Sequence, residues 1–309
     1  MKDSLQYYKN SFLFTDISVY GKIIKSITDN PQYICQIVQG LITHGSWLKF
    51  YELQVDEKDV GFYPLEMSDL LTEIVKLDPR PITIARMPEN RVVASCREYA
   101  TLACALLRAK GIPSRSRCGF SVYLGYQGTL EDHWIVEYWD GNKWVMNDPQ
   151  IDPFQLSMLN SWGINKVILS DQTILNDHFP NPHNLSPMSD FLYAGKVWQL
   201  CRGGLFDPMK CGIEDHWGLW FVRGQLLRDF ASLNKVEIVP HECGRRKNLD
   251  WTSWRLLSIN DSDLSYTDLA LLDEIAALSL DADNNLDLIK SLYENNTCLQ
   301  VPQNILELR

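Results

Sequence analysis

Residues 94–113 read A-S-C-R-E-Y-A-T-L-A-C-A-L-L-R-A-K-G-I-P and carry the strongest helix signals in the chain. Ser95 and Glu98 form the S-x-x-E pattern of a capping box, in which two residues satisfy backbone N–H groups at the start of a helix. Apolar residues then recur at helical spacing until a Gly-Ile-Pro sequence ends the pattern. The stretch therefore predicts a helix whose first residue is Cys96.

A cysteine at the first position of a helix lies in an environment that favours its thiolate. The sulfur of Cys96 would face backbone N–H groups that lack helical partners, together with the positive end of the helix dipole. Because the thiolate is the reactive form of cysteine, this placement makes Cys96 a candidate nucleophile. The same N–H groups could help to hold an oxyanion. Taken singly, a cysteine is more often a small buried residue.

Residues 132–148 read D-H-W-I-V-E-Y-W-D-G-N-K-W-V-M-N-D and predict a β-hairpin that turns at the Asp-Gly pair, 140–141. A two-residue turn there places His133 opposite Asp148 on the neighbouring strand, with both side chains on one face of the sheet. In that position a carboxylate orients an imidazole and stabilises its charged form. A longer turn would shift the register, and Asp152 is then the alternative carboxylate.

Residues 91–152 resemble the transglutaminase-like superfamily of papain-type thiol enzymes. The resemblance rests on a cysteine at a helix start, an L-L-R-x-x-G-I-P-S-R run, His-Trp in a strand, an E-x-W strand and a W-x-x-x-D sequence, in this order. It implies an α+β fold in which helices pack on a small antiparallel sheet, with the site between them. It also implies that Cys96 is the nucleophile, His133 the general base and then acid, and Asp148 the orienting carboxylate.

The sequence departs from the family pattern just before the cysteine. Members often have a tryptophan there that helps to form the oxyanion hole, and no tryptophan lies close before Cys96. A glutamine serves this purpose in papain-type sites, which makes Gln39 on the predicted preceding helix a candidate donor, with Gln36 and Trp47 as alternatives. The competing interpretation of Gln39 is an exposed helix residue.

The rest of the chain divides into a first half of mixed elements and a second half of helices and loops. Further helices are predicted at 31–43, 68–77, 218–235, 266–280 and 286–293, and a strand at 114–124. Residues 1–155 are predicted to form the catalytic core with its N-terminal helices. Residues 156–309 are predicted to form a mostly helical and loop extension that could pack into the same domain.

The composition argues against several classes of partner and location. A net charge of −10 argues against non-specific binding of nucleic acid or of anionic membranes, which needs a basic surface. The first residues lack the apolar run of a signal peptide, and no apolar stretch approaches the length of a transmembrane helix. We therefore expect a cytoplasmic protein with reduced thiols, in keeping with eight scattered cysteines and no C-x-x-C pair.

The later cysteines and histidines allow a competing interpretation, a zinc site. Cys201, Cys211, His216, His241 and Cys243 could supply ligands, but their spacing fits none of the usual zinc-finger or ribbon patterns. Buried or loop thiols explain these cysteines more simply. We therefore expect no metal and no cofactor.

The resemblance implies thiol-dependent acyl transfer or amide hydrolysis through an acyl-enzyme on Cys96. Water as the acceptor would make the protein an amidase or peptidase, and an amine would make it an acyltransferase that forms an amide bond. The expected partner is a small-molecule, peptide or carrier-protein-bound acyl substrate. A non-catalytic binding module on the same fold is a further alternative, against which the presence of all three residues argues. The sequence leaves the substrate and the oligomeric state open.

Overall fold

Helices pack on a small sheet in this α+β structure. The computed structural model describes residues 2–54, 64–238 and 251–306. The helices within these ranges are α1 (Lys2–Lys9), α2 (Gly21–Lys25), α3 (Pro31–Gln39), α4 (Met67–Leu77), α5 (Cys96–Ala109), α6 (Pro153–Trp162), α7 (Ala194–Arg202), α8 (Leu219–Leu233), α9 (Arg255–Ser258), α10 (Tyr266–Leu280), α11 (Leu286–Asn295) and α12 (Gln303–Leu306). The strands are β1 (Ile42–His44), β2 (Val92–Ala94), β3 (Ser114–Ser121), β4 (Leu130–Trp139), β5 (Trp144–Asn147), β6 (Phe191–Tyr193), β7 (Cys211–Ile213) and β8 (His216–Trp217).

The main sheet has the strand order β6-β3-β4-β7-β8, and β5 also pairs with β4. The long antiparallel strands β3 and β4 form its centre, with Gly119 opposite His133. Along the edge that faces away from β3, β4 pairs with β7 at residues 130–131 and with β5 at residues 136–139. Among the strands that the structure describes, none covers this edge of β4 between those two pairings. His133 therefore lies at an open segment of the strand.

Helix α5 begins and ends where the sequence predicts. At its start the Glu98 carboxylate accepts hydrogen bonds from the Ser95 N–H (3.1 Å) and the Ser95 hydroxyl (2.6 Å), and the capping box is confirmed. At its end Gly111 adopts φ +74°, and the N–H of Ile112 donates to the Leu107 carbonyl at 2.9 Å, as in a Schellman motif. The helix is buried along almost its whole length, which makes α5 the central helix of the core.

The predicted helix at 31–43 is wrong in its second part. Helix α3 ends at Gln39, and residues 42–44 instead form β1, which pairs in parallel with β2. Gly40 allows the backbone to pass close to Ala85, because a side chain at position 40 would collide with that residue. The helical spacing of this stretch could not reveal β1, since the partner strand lies far along the chain.

The second half of the chain adds strands to the sheet as well as helices. β6 pairs with β3 and β7 pairs with β4, so segments from both sides of residue 155 form one sheet. These strands have two or three residues each, too few for the alternation that identifies a strand in a sequence. Helix α8 packs against β3 and α7, and nearly all of its residues are buried.

Four other helices match their predictions to within two residues at either end, namely α4, α8, α10 and α11. Local capping explains part of this agreement: at the start of α10, the Ser265 hydroxyl accepts a hydrogen bond from the Asp268 N–H at 3.1 Å. The predicted strand at 114–124 is shorter in the structure and ends at Ser121. Within the described ranges, the helices are too short or too polar to cross a membrane.

Candidate active site

The turn between β4 and β5 is longer than the sequence predicts. Trp139 pairs with Trp144, so residues 140–143 form a four-residue turn, and the predicted two-residue turn is wrong. The Asp140 carboxylate accepts hydrogen bonds from the N–H groups at positions 142 and 143, both at 2.8 Å. An aspartate that binds the backbone two and three residues further on stabilises this wider turn.

The longer turn moves Asp148 away from the position opposite His133 but leaves it on the same face of the sheet. Side chains alternate along a strand, so a register shift of two residues preserves the face. β5 ends at Asn147, and the N–H of Asp148 donates to the carbonyl of Pro182 at 2.7 Å. His133 Nε2 and Asp148 Oδ2 are 2.8 Å apart. The predicted contact is therefore present, although the register that suggested it is wrong.

Two further hydrogen bonds hold the Asp148 carboxylate, which is fully buried. The Tyr123 hydroxyl donates to Oδ2 at 2.6 Å, and the N–H of Gln150 donates to Oδ1 at 2.9 Å. Burial raises the pKa of this carboxyl, but the charge of His133 and these hydrogen bonds outweigh it and hold the pKa below its usual range. Asp148 is therefore ionised and can stabilise an imidazolium. The sequence carries no signal that Tyr123 belongs to the site.

The Asp148 carboxylate determines both the orientation and the protonation of His133. Burial lowers the pKa of His133, but the charge and hydrogen bond of Asp148, with the charges of Asp132 and Glu131, outweigh it and raise the pKa above its ordinary value. Because an ionised carboxylate only accepts hydrogen bonds, Nε2 carries the proton that it shares with Asp148. Nδ1 is thus the nitrogen that can act as a base.

The thiol of Cys96 lies beside the strand segment that carries His133. Cys96 is 6% exposed and packs in one cluster with Ala100, Cys118 and Trp134. Trp134 follows His133 in β4, and Cys118 is its partner across the β3–β4 ladder. The start of α5 therefore packs against β4 at the residue next to His133, and the thiol, the imidazole and the carboxylate come from three different elements.

A histidine that the sequence did not single out, His44, also belongs to this neighbourhood. It lies at the end of β1, opposite Ala94, which precedes the capping residue of α5. Burial lowers the pKa of His44 to about 4, the charge of His133 acts in the same direction, and the charge of Asp148 opposes it. His44 is therefore close enough to both residues to sense their charges. The sequence placed it just beyond a helix end, where a histidine has no evident function.

Gln39, the predicted oxyanion donor, is buried rather than exposed. Its Nε2 donates to the carbonyl of Ile151 at 3.0 Å. This bond ties α3 to the segment that follows Asp148. The exposed-residue interpretation is wrong, and an oxyanion function of Gln39 stays a prediction.

Asp152, the alternative carboxylate, makes other contacts. Its side chain accepts hydrogen bonds from the N–H of Gln155 at 2.9 Å, which caps α6, and from the Tyr51 hydroxyl at 2.7 Å. Arg91 lies 3.4 Å from the same carboxylate. Asp148, rather than Asp152, is therefore the carboxylate bound to His133.

The competing zinc interpretation gains no support from the described part of the chain. There, no three histidine, cysteine, aspartate or glutamate side chains are grouped so that they could hold a metal ion. Cys201 and Cys211 are neighbours, and burial raises the pKa of the Cys211 thiol. His241 and Cys243 lie outside the described residues. The seven cysteines that the structure describes form no disulfide.

Comparison with known proteins finds a family match in the central segment of the chain. Residues 78–149 match the model of the transglutaminase-like superfamily, and Cys96, His133 and Asp148 lie within the match. No curated protein matches the chain significantly. The chain is similar to a crystal structure named as that of a "Putative Cysteine Protease" from Cytophaga hutchinsonii, with 16% identity, 47% of this chain and 42% of that chain covered, and a TM-score of 0.31. The chain thus spans less than half the length of that protein.

Proposed function

Starting from the transglutaminase-like core at residues 78–149, we propose that the protein is a cysteine enzyme that forms an acyl-enzyme on Cys96. The acyl group then passes to an amine or to water. The observation that carries the proposal is the 2.8 Å contact between His133 Nε2 and Asp148 Oδ2 at the open segment of β4, beside the helix start that bears the thiol. A thiol, a base and a carboxylate that orients the base are the three groups that nucleophilic acyl transfer requires.

The first step generates the nucleophile. Nδ1 of His133 takes the proton from the Cys96 sulfur, which leaves a thiolate and an imidazolium. The Asp148 carboxylate stabilises the imidazolium through its hydrogen bond to Nε2. The thiolate is stabilised by the positive end of the α5 dipole, since Cys96 is the first residue of that helix.

The second step forms the acyl-enzyme. The thiolate attacks the carbonyl carbon of an amide or thioester, a carbon–sulfur bond forms, and the carbonyl electrons move to oxygen. When the carbonyl re-forms, the bond to the leaving amine or thiol breaks, and the imidazolium of His133 donates its Nδ1 proton to that group. Cys96 then carries the acyl group as a thioester.

The third step reverses the second with a new acceptor. His133 removes a proton from water or from an amine as this acceptor attacks the thioester. The carbon–sulfur bond then breaks and the thiolate of Cys96 returns. Exclusion of water decides between the outcomes, which are hydrolysis of an amide or peptide and formation of a new amide bond. The acyl donor on this proposal is a small molecule, a peptide or a group held on a carrier protein.

Intact-mass spectrometry with p-nitrophenyl acetate, an activated acyl donor, tests the proposal. The unaltered protein should gain an acetyl group that peptide mapping locates on Cys96, and Cys96→Ala should gain none there. Cys298→Ser is the matched control, because Cys298 is a partly exposed thiol far along the chain from the site. This variant should be acylated like the unaltered protein. Acetylation that proceeds equally fast in Cys96→Ala would refute the acyl-enzyme.

A second measurement distinguishes the two acceptors. The acylated protein is isolated and mixed with n-butylamine over a range of concentrations. A transferase releases N-butylacetamide in proportion to the amine, and a hydrolase releases acetate at a rate that the amine does not change.

A further inference from the structure

We propose that His44 is a further catalytic residue, which donates a hydrogen bond from Nε2 to the oxyanion formed when Cys96 attacks an acyl carbon. The inference rests on the proposed acyl-enzyme. It supplies the side-chain donor that the sequence lacks just before the cysteine. A donor aimed at the developing oxyanion contributes about 10²–10³ to the rate in acyl-transfer enzymes.

The first argument is position. His44 ends β1, and its register partner Ala94 ends β2, directly before the residue that caps α5. The strand is also tied to α5 itself, because the Tyr99 hydroxyl donates to the carbonyl of Ile42 at 2.7 Å. The place of His44 relative to Cys96 is therefore set by two connections, a strand ladder and a buried hydrogen bond.

The second argument is the tautomer of the imidazole. His44 Nδ1 accepts a hydrogen bond from the N–H of Ser46 at 3.2 Å. A backbone N–H can only donate, so Nδ1 carries no proton, and the single proton of the neutral ring lies on Nε2. The ring therefore offers a donor at Nε2.

The third argument is charge. The groups that act on His44 are His133 and Asp148, and burial acts more strongly than either. Burial and the charge of His133 keep His44 neutral at physiological pH against the opposing charge of Asp148, while the raised pKa of His133 favours its cation. Two neighbouring histidines thus differ in protonation, and a neutral donor does not compete with the imidazolium for the thiolate.

The fourth argument is access. A substrate carbonyl must reach the donor, and His44 is partly exposed. Gln39 is buried and donates to Ile151. Trp134 lies against Cys96 and its indole N–H has no partner among the described residues, but that nitrogen has almost no exposed surface. Of these three residues, His44 is the most exposed, and its own hydrogen bond at Nδ1 places its proton on Nε2.

The experiment compares two reactions of the same thiol in the unaltered protein, His44→Leu and His44→Gln. p-Nitrophenyl acetate acylates Cys96 through an oxyanion, whereas iodoacetamide alkylates it by displacing iodide from a saturated carbon and forms none. We expect His44→Leu to slow acylation by about 10²–10³ while the alkylation rate stays unchanged. His44→Gln keeps a side-chain N–H donor and should recover part of the acylation rate.

Each other outcome overturns the inference. Equal losses of acylation and alkylation in His44→Leu would mean that His44 supports the thiolate or the fold and not the oxyanion. An unchanged acylation rate would mean that it has no catalytic part. If the unaltered protein is not acylated on Cys96 at all, the proposed function fails, and the inference that rests on it fails too.

Discussion

Strand β4 carries two buried charge clusters on one face, and they differ in the cation that binds the carboxylate. Glu137 accepts hydrogen bonds from Arg115 Nε at 2.6 Å and Arg117 Nη1 at 3.4 Å, and also from the Tyr193 hydroxyl. Arg117 in turn binds both carboxylate oxygens of Asp229 on α8, at 2.9 and 2.7 Å. This cluster joins the sheet to the second half of the chain.

His133, four residues earlier on the same strand, forms a simpler pair. Its Nε2 contacts Asp148, and Nδ1 is the nitrogen left for proton transfer. Both clusters are buried and both contain an ionised carboxylate, so burial and charge alone do not distinguish a structural pair from a catalytic one. The difference lies in the cation: Glu137 is bound by two guanidinium groups, which keep their protons, whereas Asp148 is bound by an imidazole, which can take up and release a proton.

The largest expected effect is on catalysis, in Asp148→Asn. Loss of the carboxylate removes the group that orients His133 and stabilises its cation, so the rate of Cys96 acylation should fall by about 10²–10⁴. The pKa of His133 should fall as well, which moves the alkaline limb of the pH–rate profile to lower pH. Asp140→Asn is the matched control in the same hairpin, since an amide oxygen can still accept the turn hydrogen bonds. Equal rate losses in both variants would contradict a catalytic function of the His133–Asp148 pair.

The next largest effect is on stability, in Glu137→Gln. Removing one charge from a buried cluster leaves Arg115 and Arg117 undercompensated, so the free energy of unfolding should fall by about 3–5 kcal/mol. Urea unfolding measures this loss. The acylation rate of the folded variant should not change. A fall in that rate, with the protein still folded, would show that the two clusters are not separate in function.

Acid should weaken the arginine cluster in a defined pH window. Burial raises the pKa of Glu137, but Arg115 and Arg117 outweigh it and lower the pKa from 4.5 to about 2. Because the folded-state pKa is the lower one, the stabilisation is fully present above pH 4.5 and is lost as the pH falls toward 2. It amounts to about 3 kcal/mol. Unfolding curves of the unaltered protein and Glu137→Gln should converge over this range. If the difference in unfolding free energy between the two proteins stays constant with pH, the lowered pKa of Glu137 is not the source of this stabilisation.

The smallest effect is expected for Tyr123→Phe. The variant removes one of two donors to Asp148 Oδ2 and leaves the His133 contact in place, so the acylation rate should fall by less than about tenfold. With one donor fewer, the carboxylate attracts the His133 proton more strongly, and the alkaline limb of the pH–rate profile should move to higher pH. This shift is opposite to that of Asp148→Asn. A shift in the same direction would show that Tyr123 acts through the fold and not through the carboxylate.

The elements with local signals could be predicted from the sequence, and those that depend on distant partners could not. Helix α5 follows from the Ser95–Glu98 capping box and the glycine at position 111, all within one short stretch. β1 was missed because it forms only by pairing with β2. The hairpin turn was predicted too short because the Asp140 side chain binds the backbone of a wider turn.

The sequence by itself determined the candidate site residues and the helix start at which Cys96 lies. A capped helix start, a histidine in one strand and an aspartate after the next are short-range patterns, so Cys96, His133 and Asp148 could be singled out. The tertiary structure alone decided what surrounds them. Tyr123 and His44 reach the site because β3 and β1 pack there, and the strands of the second half complete the sheet. The physical reason is that such contacts join residues far apart in the chain, through pairings too short or too distant to leave a periodic pattern.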